Sequence, residues 1–310
     1  MLKDIAEYLR KKVELLSSED KLIYNNKILA VDRNNFSMIS GEVKQKTIAF
    51  IDGGQAEILS AGNFCLSFIR IGALVFRDNK KTKDYKHEFY LLTTARYERG
   101  TLLYESKIFG DRIIDENDLL ISSEDSSIRI GMERAPISRV SSMARRFAEL
   151  SLAKKVEAEV VVLDGTMETT FRNEEKYLNL PENVCSIAKS SSLFTTSGNS
   201  PTVLLNQISP EGCWSYLVEG NSYFVKLHPG SKHVFRFMGD KEYLSLLSEN
   251  SKDALFLGYP YGLIAVDKFA RVSNSEKNTM RMNLLLRDEN KKLADYLSTS
   301  DAHQILDNIY

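Results

Sequence analysis

The sequence contains little cysteine and little proline. Its 310 residues include six prolines and three cysteines, Cys65, Cys185 and Cys213, which lie far apart and form no CxxC pair. An odd number of dispersed cysteines suits neither a disulfide framework nor a zinc module, so we expect a protein of the reducing cytoplasm. Because no linker rich in Pro, Gly or Ser forces a split, we expect a single domain over residues 1–310.

The sequence also lacks a long hydrophobic run and an excess of either charge. Charged residues interrupt the amino-terminal segment throughout, so we expect neither a signal peptide nor a membrane span. Lys and Arg number 41 against 42 Asp and Glu, which gives a net charge of -1. Any contact with nucleic acid must therefore come from local basic patches. A composition of 43% hydrophobic and 27% charged residues is that of an ordinary globular protein.

The apolar pattern predicts a helix at the start of the chain and then a strand and a meander. Ile5, Leu9 and Val13 follow helical spacing, and this helix is expected to end near Ser17. The run "TIAFID" predicts a buried strand with Asp52 at its carboxyl end. Three further strands are predicted at 64–76, 87–98 and 100–109, with the basic segment "RDNKKTKDYK" as a solvated turn between the first two.

A helix and a second buried strand follow the meander. The segment 137–158 has apolar residues on one helical face, and "EVVVLDGT" (159–166) is a strand that again ends in Asp-Gly, at Asp164. A strand is predicted at "CSIAKS" (185–190), and a loop is expected after it at 191–201. Further strands are predicted at "TVLLNQI", "CWSYLVE", "SYFVKLHP" and "HVFRFM", before a mostly helical region after residue 240.

Two aspartates at the ends of two buried strands form a candidate metal site. If the two strands are neighbours in a sheet, Asp52 and Asp164 come within a few ångströms of each other. Like charges at that distance repel unless a cation neutralises them, and Mg²⁺ or Mn²⁺ accepts such oxygen ligands. With a second metal ion, the pair could stabilise the attacking and leaving oxygens of a phosphodiester.

Two other interpretations of "IDGGQ" are open. The simpler one is a Gly-Gly turn that a local aspartate caps, because Asp and Gly are ordinary turn residues. The other is the phosphate-binding hairpin of the actin and sugar-kinase group, which also opens on Asp-Gly-Gly. That interpretation predicts an ATP-binding protein of two duplicated lobes, for which this chain is short and no second glycine-rich segment is evident.

Five ordered blocks carry a family resemblance. The blocks are "FIDGGQAEI", "AELSLAKKVEAEVVVLDGT", "SIAKSS", "YFVKLHPGSKHVFRF" and "GYPYGLIAVDKFAR". In their order and approximate intervals they resemble the NurA nuclease family of archaea and some bacteria. The resemblance covers about residues 45–290, which would be the core of the domain. It favours a nuclease over the kinase-like interpretation.

The resemblance implies a fold, an activity and partners. NurA proteins have an RNase H-like core, so we expect an α/β fold with an RNase H-like mixed β-sheet, flanking helices, an amino-terminal helix and a helical carboxyl-terminal region. The implied activity is manganese-dependent cleavage of DNA, with magnesium as an alternative metal and two ions in the site. The implied partners are DNA, a hexameric HerA-type ATPase and a second copy of the chain, in the processing of double-strand breaks for homologous recombination.

The resemblance also assigns roles to individual residues. Asp52, Glu149 and Asp164 match the family's metal-binding carboxylates, and Tyr259 matches the tyrosine of its Tyr-Pro motif. Eight residues later the family often has a histidine, where this sequence has Asp267. We therefore predict Asp52, Glu149, Asp164, Tyr259 and Asp267 as catalytic, and all of these except Tyr259 as metal ligands.

Glu149 and Asp267 each have a less specific interpretation. Arg145 precedes Glu149 by four residues, so Glu149 could be a solvated member of a surface ion pair. If both faces of its helix are covered, however, the glutamate needs a partner, and a metal ion would serve. Asp267 could replace histidine as a manganese ligand but not as a proton carrier near neutral pH, and it could also be a surface partner of Lys268.

The remaining polar candidates are two lysines, two histidines and the tyrosine. Lys189 and Lys226 lie in predicted strands and could contact the DNA backbone, or could simply be solvated. The Tyr259 hydroxyl could hold a phosphate oxygen or the attacking water, although Tyr-Pro also marks bends between elements. His228 and His233 are interpreted as turn residues rather than ligands.

The predicted function is hydrolysis of DNA phosphodiesters. The resemblance further implies a 5' to 3' exonuclease with single-strand endonuclease activity that acts with a HerA-type translocase at double-strand breaks. A NurA-like adaptor of the translocase with reduced catalysis is the alternative, which the aspartate at position 267 favours.

Overall fold

The computed structural model describes residues 1–14, 20–40, 45–189, 191, 193–287 and 291–300. The predicted end of the first helix near Ser17, and parts of the predicted loop around residues 190–192, lie outside the described residues. The described chain forms two compact units. The first unit comprises the described residues of Met1–Lys46, Asp164–Met167 and Cys185–Tyr261, and the second those of Thr47–Leu163, Glu168–Val184 and Gly262–Tyr310. A single domain over residues 1–310 stays a prediction.

The described elements are fourteen strands and eight α-helices. The strands are β1 (Lys21–Tyr24), β2 (Lys27–Ala30), β3 (Phe36–Met38), β4 (Ile48–Ala61), β5 (Phe64–Arg77), β6 (Lys80–Glu98), β7 (Thr101–Gly110), β8 (Ile121–Ser122), β9 (Val160–Asp164), β10 (Val184–Ala188), β11 (Phe194–Thr195), β12 (Trp214–Glu219), β13 (Ser222–Lys226) and β14 (Phe235–Met238). The helices are α1 (Leu2–Glu14), α2 (Arg139–Ala153), α3 (Glu175–Leu178), α4 (Pro201–Ile208), α5 (Leu244–Asn250), α6 (Tyr261–Ala270), α7 (Asn274–Leu285) and α8 (Lys291–Ser300).

The second unit is built on a mixed sheet in the order β9-β4-β5-β6-β7-β8. β4, β5, β6 and β7 form an antiparallel meander, and β9 lies parallel to β4. A meander followed by a helix and a strand parallel to the first strand is the arrangement expected of an RNase H-like core. The predicted α/β fold class, with its mixed sheet, flanking helices, amino-terminal helix and helical carboxyl-terminal region, is confirmed.

Short turns set the register of the meander. Asp78 and Asn79 link β5 to β6, and both have positive φ values, of 50° and 57°. Two consecutive left-handed residues are typical of a two-residue turn that matches the twist of the flanking strands. The predicted basic turn is therefore wrong in extent, because its lysines belong to the start of β6 rather than to a solvated loop.

Helix α2 is buried on more than one face. Val140, Met143 and Phe147 are fully covered, and so is Leu152, which lies outside the predicted apolar stripe. Phe147 stacks on Tyr177 with ring centroids 4.5 Å apart. A helix covered in this way needs a partner for each polar side chain that it buries.

One such partner is a buried carboxylate from the segment that follows β9. Arg146 Nε donates to Glu174 Oε1 at 2.7 Å, and Glu174 is fully buried. The other oxygen of Glu174 accepts the backbone N–H groups of Thr170 and Phe171, at 2.6 and 2.8 Å. The ion pair therefore ties residues 170–174 to α2.

The first unit contains two sheets around an aromatic core. One sheet has the order β3-β12-β13-β14-β10, and the other has the order β11-β1-β2. The core includes Trp214, Tyr216 and Phe224. The predicted strand "TVLLNQI" is wrong, because these residues lie in α4. Pro201 occupies the first turn of α4, where a missing N–H has no consequence.

Helix α7 begins with a capping box that also joins an ion-pair network. Ser273 Oγ accepts the Glu276 N–H, and the Glu276 carboxylate accepts the Ser273 N–H at 2.8 Å. The same carboxylate accepts from Arg70 of β5 at 2.9 Å. The Ser273 backbone N–H, followed by Arg70, holds the pKa of Glu276 at about 2. This carboxylate therefore stays ionised well below neutral pH.

Substitution of Glu276 by glutamine should make the stability of the protein depend less on pH in the acidic range. A pKa that folding lowers contributes stability above the unfolded value near 4.5, and this contribution is lost as the pH falls toward about 2. We expect E276Q to unfold about 2 °C below wild type at neutral pH. The difference should disappear as the pH falls through this window, and thermal unfolding at about pH 7 and pH 3 measures it. An equal difference at both pH values would contradict the assignment.

No helix within the described part of the chain has the length and apolar character required to cross a bilayer.

Candidate functional site

Asp52 lies inside a long strand rather than at its end. β4 continues through Gly53 and Gly54 to Ala61, so the predicted carboxyl-end position and the capped Gly-Gly turn are both wrong. The parallel pairing with β9 nevertheless stops at this point. The last register pair is Ile51 with Leu163, and the next residue along β4 is Asp52. Asp52 is 9% exposed, and its carboxylate accepts the Gly53 N–H at 2.7 Å.

Glu149 lies close to Asp52, and a shared arginine links the two carboxylates. Glu149 is 4% exposed, so its interpretation as a solvated surface residue is wrong. Arg145 precedes it by one helical turn and donates from Nη1 to Glu149 Oε1 at 2.8 Å. The same nitrogen donates to the Gly53 carbonyl at 2.9 Å and lies 3.9 Å from Asp52 Oδ1. A single guanidinium nitrogen thus faces two buried carboxylates and a backbone carbonyl.

The two glycines after Asp52 allow this close packing. A Cβ atom at Gly53 would lie 2.6 Å from Glu149 Oε1 and 2.9 Å from Arg145 Cγ. A Cβ atom at Gly54 would lie 2.1 Å from the carbonyl oxygen of Ala270, at the end of α6. Gly53 therefore admits the α2 side chains to the strand, and Gly54 admits the backbone of α6.

Gly54→Ala should destabilise the protein, because the obstructing atom is backbone and cannot rotate away. We expect a loss of about 2–3 kcal/mol, in the range that overpacking of a tight interior costs. Gly62→Ala is the matched control, since nothing lies within 4 Å of a Cβ atom there, and it should change stability by about 0.5 kcal/mol or less. Urea unfolding of both variants measures the difference. Equal stability of the two variants would show that the contact at Gly54 relaxes freely.

The first unit holds a second cluster of predicted site residues. Lys189 Nζ donates to Asp164 Oδ2 at 2.6 Å, and the Tyr259 hydroxyl lies 3.3 Å from Asp164 Oδ1. The Lys189 ammonium also lies 5.4 Å from the centroid of the Tyr259 ring, which is buried. The Lys189 charge and the Tyr259 hydroxyl thus converge on one carboxylate.

The structure groups five of the predicted site residues and leaves two apart. Asp52 and Glu149 lie together in the second unit, and Asp164, Lys189 and Tyr259 lie together in the first. Asp267 is in α6 and pairs with Arg271, one turn later, rather than with the predicted Lys268. Lys226 is the last residue of β13, in register with Trp214. The DNA-binding roles of Lys189 and Lys226 remain predictions.

The histidine interpretation is consistent with the structure, and one arginine had been undervalued. His228 Nδ1 accepts the N–H of Gly230 at 3.1 Å, as expected of a turn residue. His233 stacks on Phe256, with ring centroids 5.0 Å apart. The sequence predicts Arg145 only as an ion-pair partner of Glu149. Their spacing of four residues on a helix that is buried on more than one face is the signal that places the two side chains together.

The chemistry of the second-unit residues suits a divalent metal ion. Asp52 and Glu149 offer oxygen ligands, which Mg²⁺ and Mn²⁺ prefer. Among the described residues, no group of three or more His, Cys, Asp or Glu side chains is arranged to hold a metal ion. A carboxylate pair is still an adequate donor set, because Mg²⁺ commonly binds through one or two carboxylates together with water and substrate phosphates.

Comparisons with known proteins give structural neighbours only. No protein-family model matches the sequence, and no curated protein matches it. The NurA nuclease from Sulfolobus solfataricus is similar at 14% identity, over 97% of this chain and 95% of that one, with a TM-score of 0.49. A second NurA structure matches at 9% identity over 84% and 92% of the two chains, also with a TM-score of 0.49.

Endonuclease V from Ciona intestinalis, in complex with a DNA containing inosine, is also among the structural neighbours. It matches at 15% identity over 90% of this chain and 100% of that one, with a TM-score of 0.40. Sequence identity at this level does not transfer an activity, so a function for this chain rests on its own residues.

Proposed function

We propose that this protein is a metal-dependent nuclease that hydrolyses DNA phosphodiesters. The observation that carries the proposal is the pair of buried carboxylates, Asp52 and Glu149, which face one nitrogen of Arg145. Buried carboxylates that share a single cation are costly to maintain for stability alone, and such pairs are typical of sites that bind metal ions.

A third ligand rests on the sequence resemblance. Asp164 ends the second Asp-Gly strand block and matches the third metal-binding carboxylate of the family that the blocks resemble. Asp164 is therefore proposed to bind the metal together with Asp52 and Glu149. Asp267 would join this set if its carboxylate exchanged Arg271 for the metal. The ions are proposed to be manganese, or magnesium in its place, with two in the site.

The residues of the site would have separate roles in hydrolysis. Bound metal would supply a Lewis acid for the phosphate and activate a water molecule. Asp52, Glu149 and Asp164 would hold it in place. The Tyr259 hydroxyl would orient a phosphate oxygen or the attacking water, and Lys189 and Lys226 would bind the DNA backbone through their charges.

The more specific parts of the proposal rest on the five ordered sequence blocks. They support a 5' to 3' exonuclease with single-strand endonuclease activity. They also support a homodimer that acts with a hexameric HerA-type ATPase in the processing of double-strand breaks. The near-neutral net charge of the chain fits DNA binding through a local basic surface rather than through the whole protein.

A cleavage assay tests the proposal. Purified protein is incubated with end-labelled single-stranded and double-stranded DNA, in Mn²⁺, in Mg²⁺ and in EDTA. The expected result is shortened product with metal and intact DNA with EDTA. Intact DNA under every condition would overturn the nuclease proposal, and ATP binding without cleavage would favour the kinase-like interpretation.

An adaptor of the ATPase with reduced catalysis is the second candidate. Its support is that carboxylates of the predicted metal site already form ion pairs, Glu149 with Arg145 and Asp164 with Lys189. In addition, Asp267 stands where the family often has a histidine, and it is paired with Arg271. In this case the protein would bind the hexameric ATPase and leave DNA uncut in every metal.

A further inference from the structure

Two hydrogen-bond acceptors and one further carboxylate oxygen surround the Nη1 atom of Arg145. Glu149 Oε1 lies 2.8 Å away, the Gly53 carbonyl oxygen 2.9 Å and Asp52 Oδ1 3.9 Å. The side chains of Asp52 and Glu149 are 11% and 5% exposed, whereas the side chain of Arg145 is 33% exposed. The arginine is therefore the most exposed of the three side chains.

Two buried carboxylates cannot remain close together without a positive charge. Repulsion between like charges is strong where water is scarce, and Arg145 provides the compensating charge. A divalent cation would use the same oxygen atoms. It could not share them with the guanidinium at these distances, because the two cations would repel each other and compete for the same lone pairs.

We infer that Arg145 is a resident counter-ion that must leave Asp52 and Glu149 before a divalent metal ion binds them, and that it thereby sets the metal affinity of the site. The inference rests on the proposed metal-dependent function. It gives Arg145 a positioning role, since its contact with the Gly53 carbonyl holds β4 against α2 when no metal is present. Since a third of the Arg145 side chain is exposed, the arginine is not enclosed in the core as the two carboxylates are.

The affinity of an arginine variant for Mn²⁺ tests the inference. Arg145→Met removes the competing charge and keeps an unbranched apolar side chain on the helix. Lys155→Met is the matched control, because it removes one positive charge from an exposed position just beyond α2. The measurement is free Mn²⁺ by electron paramagnetic resonance during titration of each protein, without DNA. We expect R145M to bind Mn²⁺ about tenfold more tightly than wild type, and K155M to stay within about twofold.

Further variants test whether the ion binds at Asp52 and replace R145M if it does not fold. Asp52→Asn should weaken Mn²⁺ binding in both the wild-type and the R145M background, because the competition concerns this carboxylate. If R145M does not fold, Arg145→Gln replaces it in the same comparison. Thermal unfolding with and without Mn²⁺ gives a second readout, in which R145M should gain more stability from the metal than wild type does.

The possible outcomes separate this inference from the proposed function. Mn²⁺ affinity of R145M and R145Q that equals or falls below that of wild type would show that Arg145 does not compete with the metal ion. This result would overturn the inference and leave the proposed nuclease activity of the wild type unaffected. Tighter binding by R145M in a protein that cuts no DNA would support the inference and remove the nuclease proposal. Absence of Mn²⁺ binding in wild type and in both variants would overturn the inference together with the metal site.

Discussion

Replacing Glu149 by glutamine is expected to reduce metal-dependent DNA cleavage by at least about 100-fold while the protein stays folded. Glutamine has the same shape, and its amide oxygen can still accept from Arg145, so the packing of α2 on β4 is preserved. What is lost is the negative charge that a divalent cation requires. The measurement is the initial rate of cleavage of end-labelled DNA in Mn²⁺, with thermal unfolding as the check on folding.

Glu157→Gln is the control for this substitution. Glu157 follows α2, its side chain is 84% exposed, and its partner Lys83 is itself half-exposed. Exposed ion pairs contribute little to stability, and Glu157 is not among the predicted site residues. E157Q should therefore stay folded and cleave DNA at close to the wild-type rate. Equal rates for E149Q and wild type would show that the buried glutamate serves only the ion pair with Arg145, and would remove it from the site.

Arg146→Met is expected to destabilise the protein by about 3–5 kcal/mol, because it removes the arginine partner of a fully buried carboxylate. Glu174 would keep the Thr170 and Phe171 N–H groups but lose the guanidinium that balances its charge. The segment that these hydrogen bonds order follows β9, so local order after Asp164 should suffer as well. Chemical unfolding gives the loss of free energy, and amide exchange of residues 170–174 gives the local effect.

A second substitution separates the charge from the packing. Arg146→Met combined with Glu174→Leu removes both charges, and it should recover part of the lost stability because no buried charge is left unpaired. Arg172→Met is the exposed control. Its partner is Asp125, the Arg172 side chain is 63% exposed, and the expected cost is about 1 kcal/mol or less. A loss in R146M no larger than that in R172M would contradict a structural role for the buried pair.

The strands of the second unit were largely readable from the sequence, and the exceptions have physical causes. Apolar runs predicted β4, β5 and β9, because strands buried on both faces need apolar residues at successive positions. β6 and β7 are less buried and were predicted from shorter runs with hairpin-length connections. The sequence predicts a strand at "TVLLNQI", which is helical in the structure, because a short apolar run fits a strand and a helix equally well. Pro201, which favours the first turn of a helix, was the signal that should have decided for α4.

The site was only partly readable, because its decisive contacts join distant segments. The pairing of Arg145 with Glu149 follows from helical spacing, and the structure contains it. The burial of Glu149 depends on Gly53, and no local pattern links that position to α2. The same limit applies to Arg146 and Glu174, whose contact spans 28 positions. The sequence for this reason leaves a turn open as one interpretation of the two glycines, whereas in the structure they are points of close approach inside a strand.

The contact between Gly54 and the end of α6 also has a mechanical consequence. The backbone of Ala270 lies so close to β4 that the helix cannot slide along the strand without displacing it. Gly54 is two positions from Asp52, and Asp267 is in the last turn of the same helix. A movement of the carboxyl end of α6 toward β4 would therefore also displace the strand that carries Asp52.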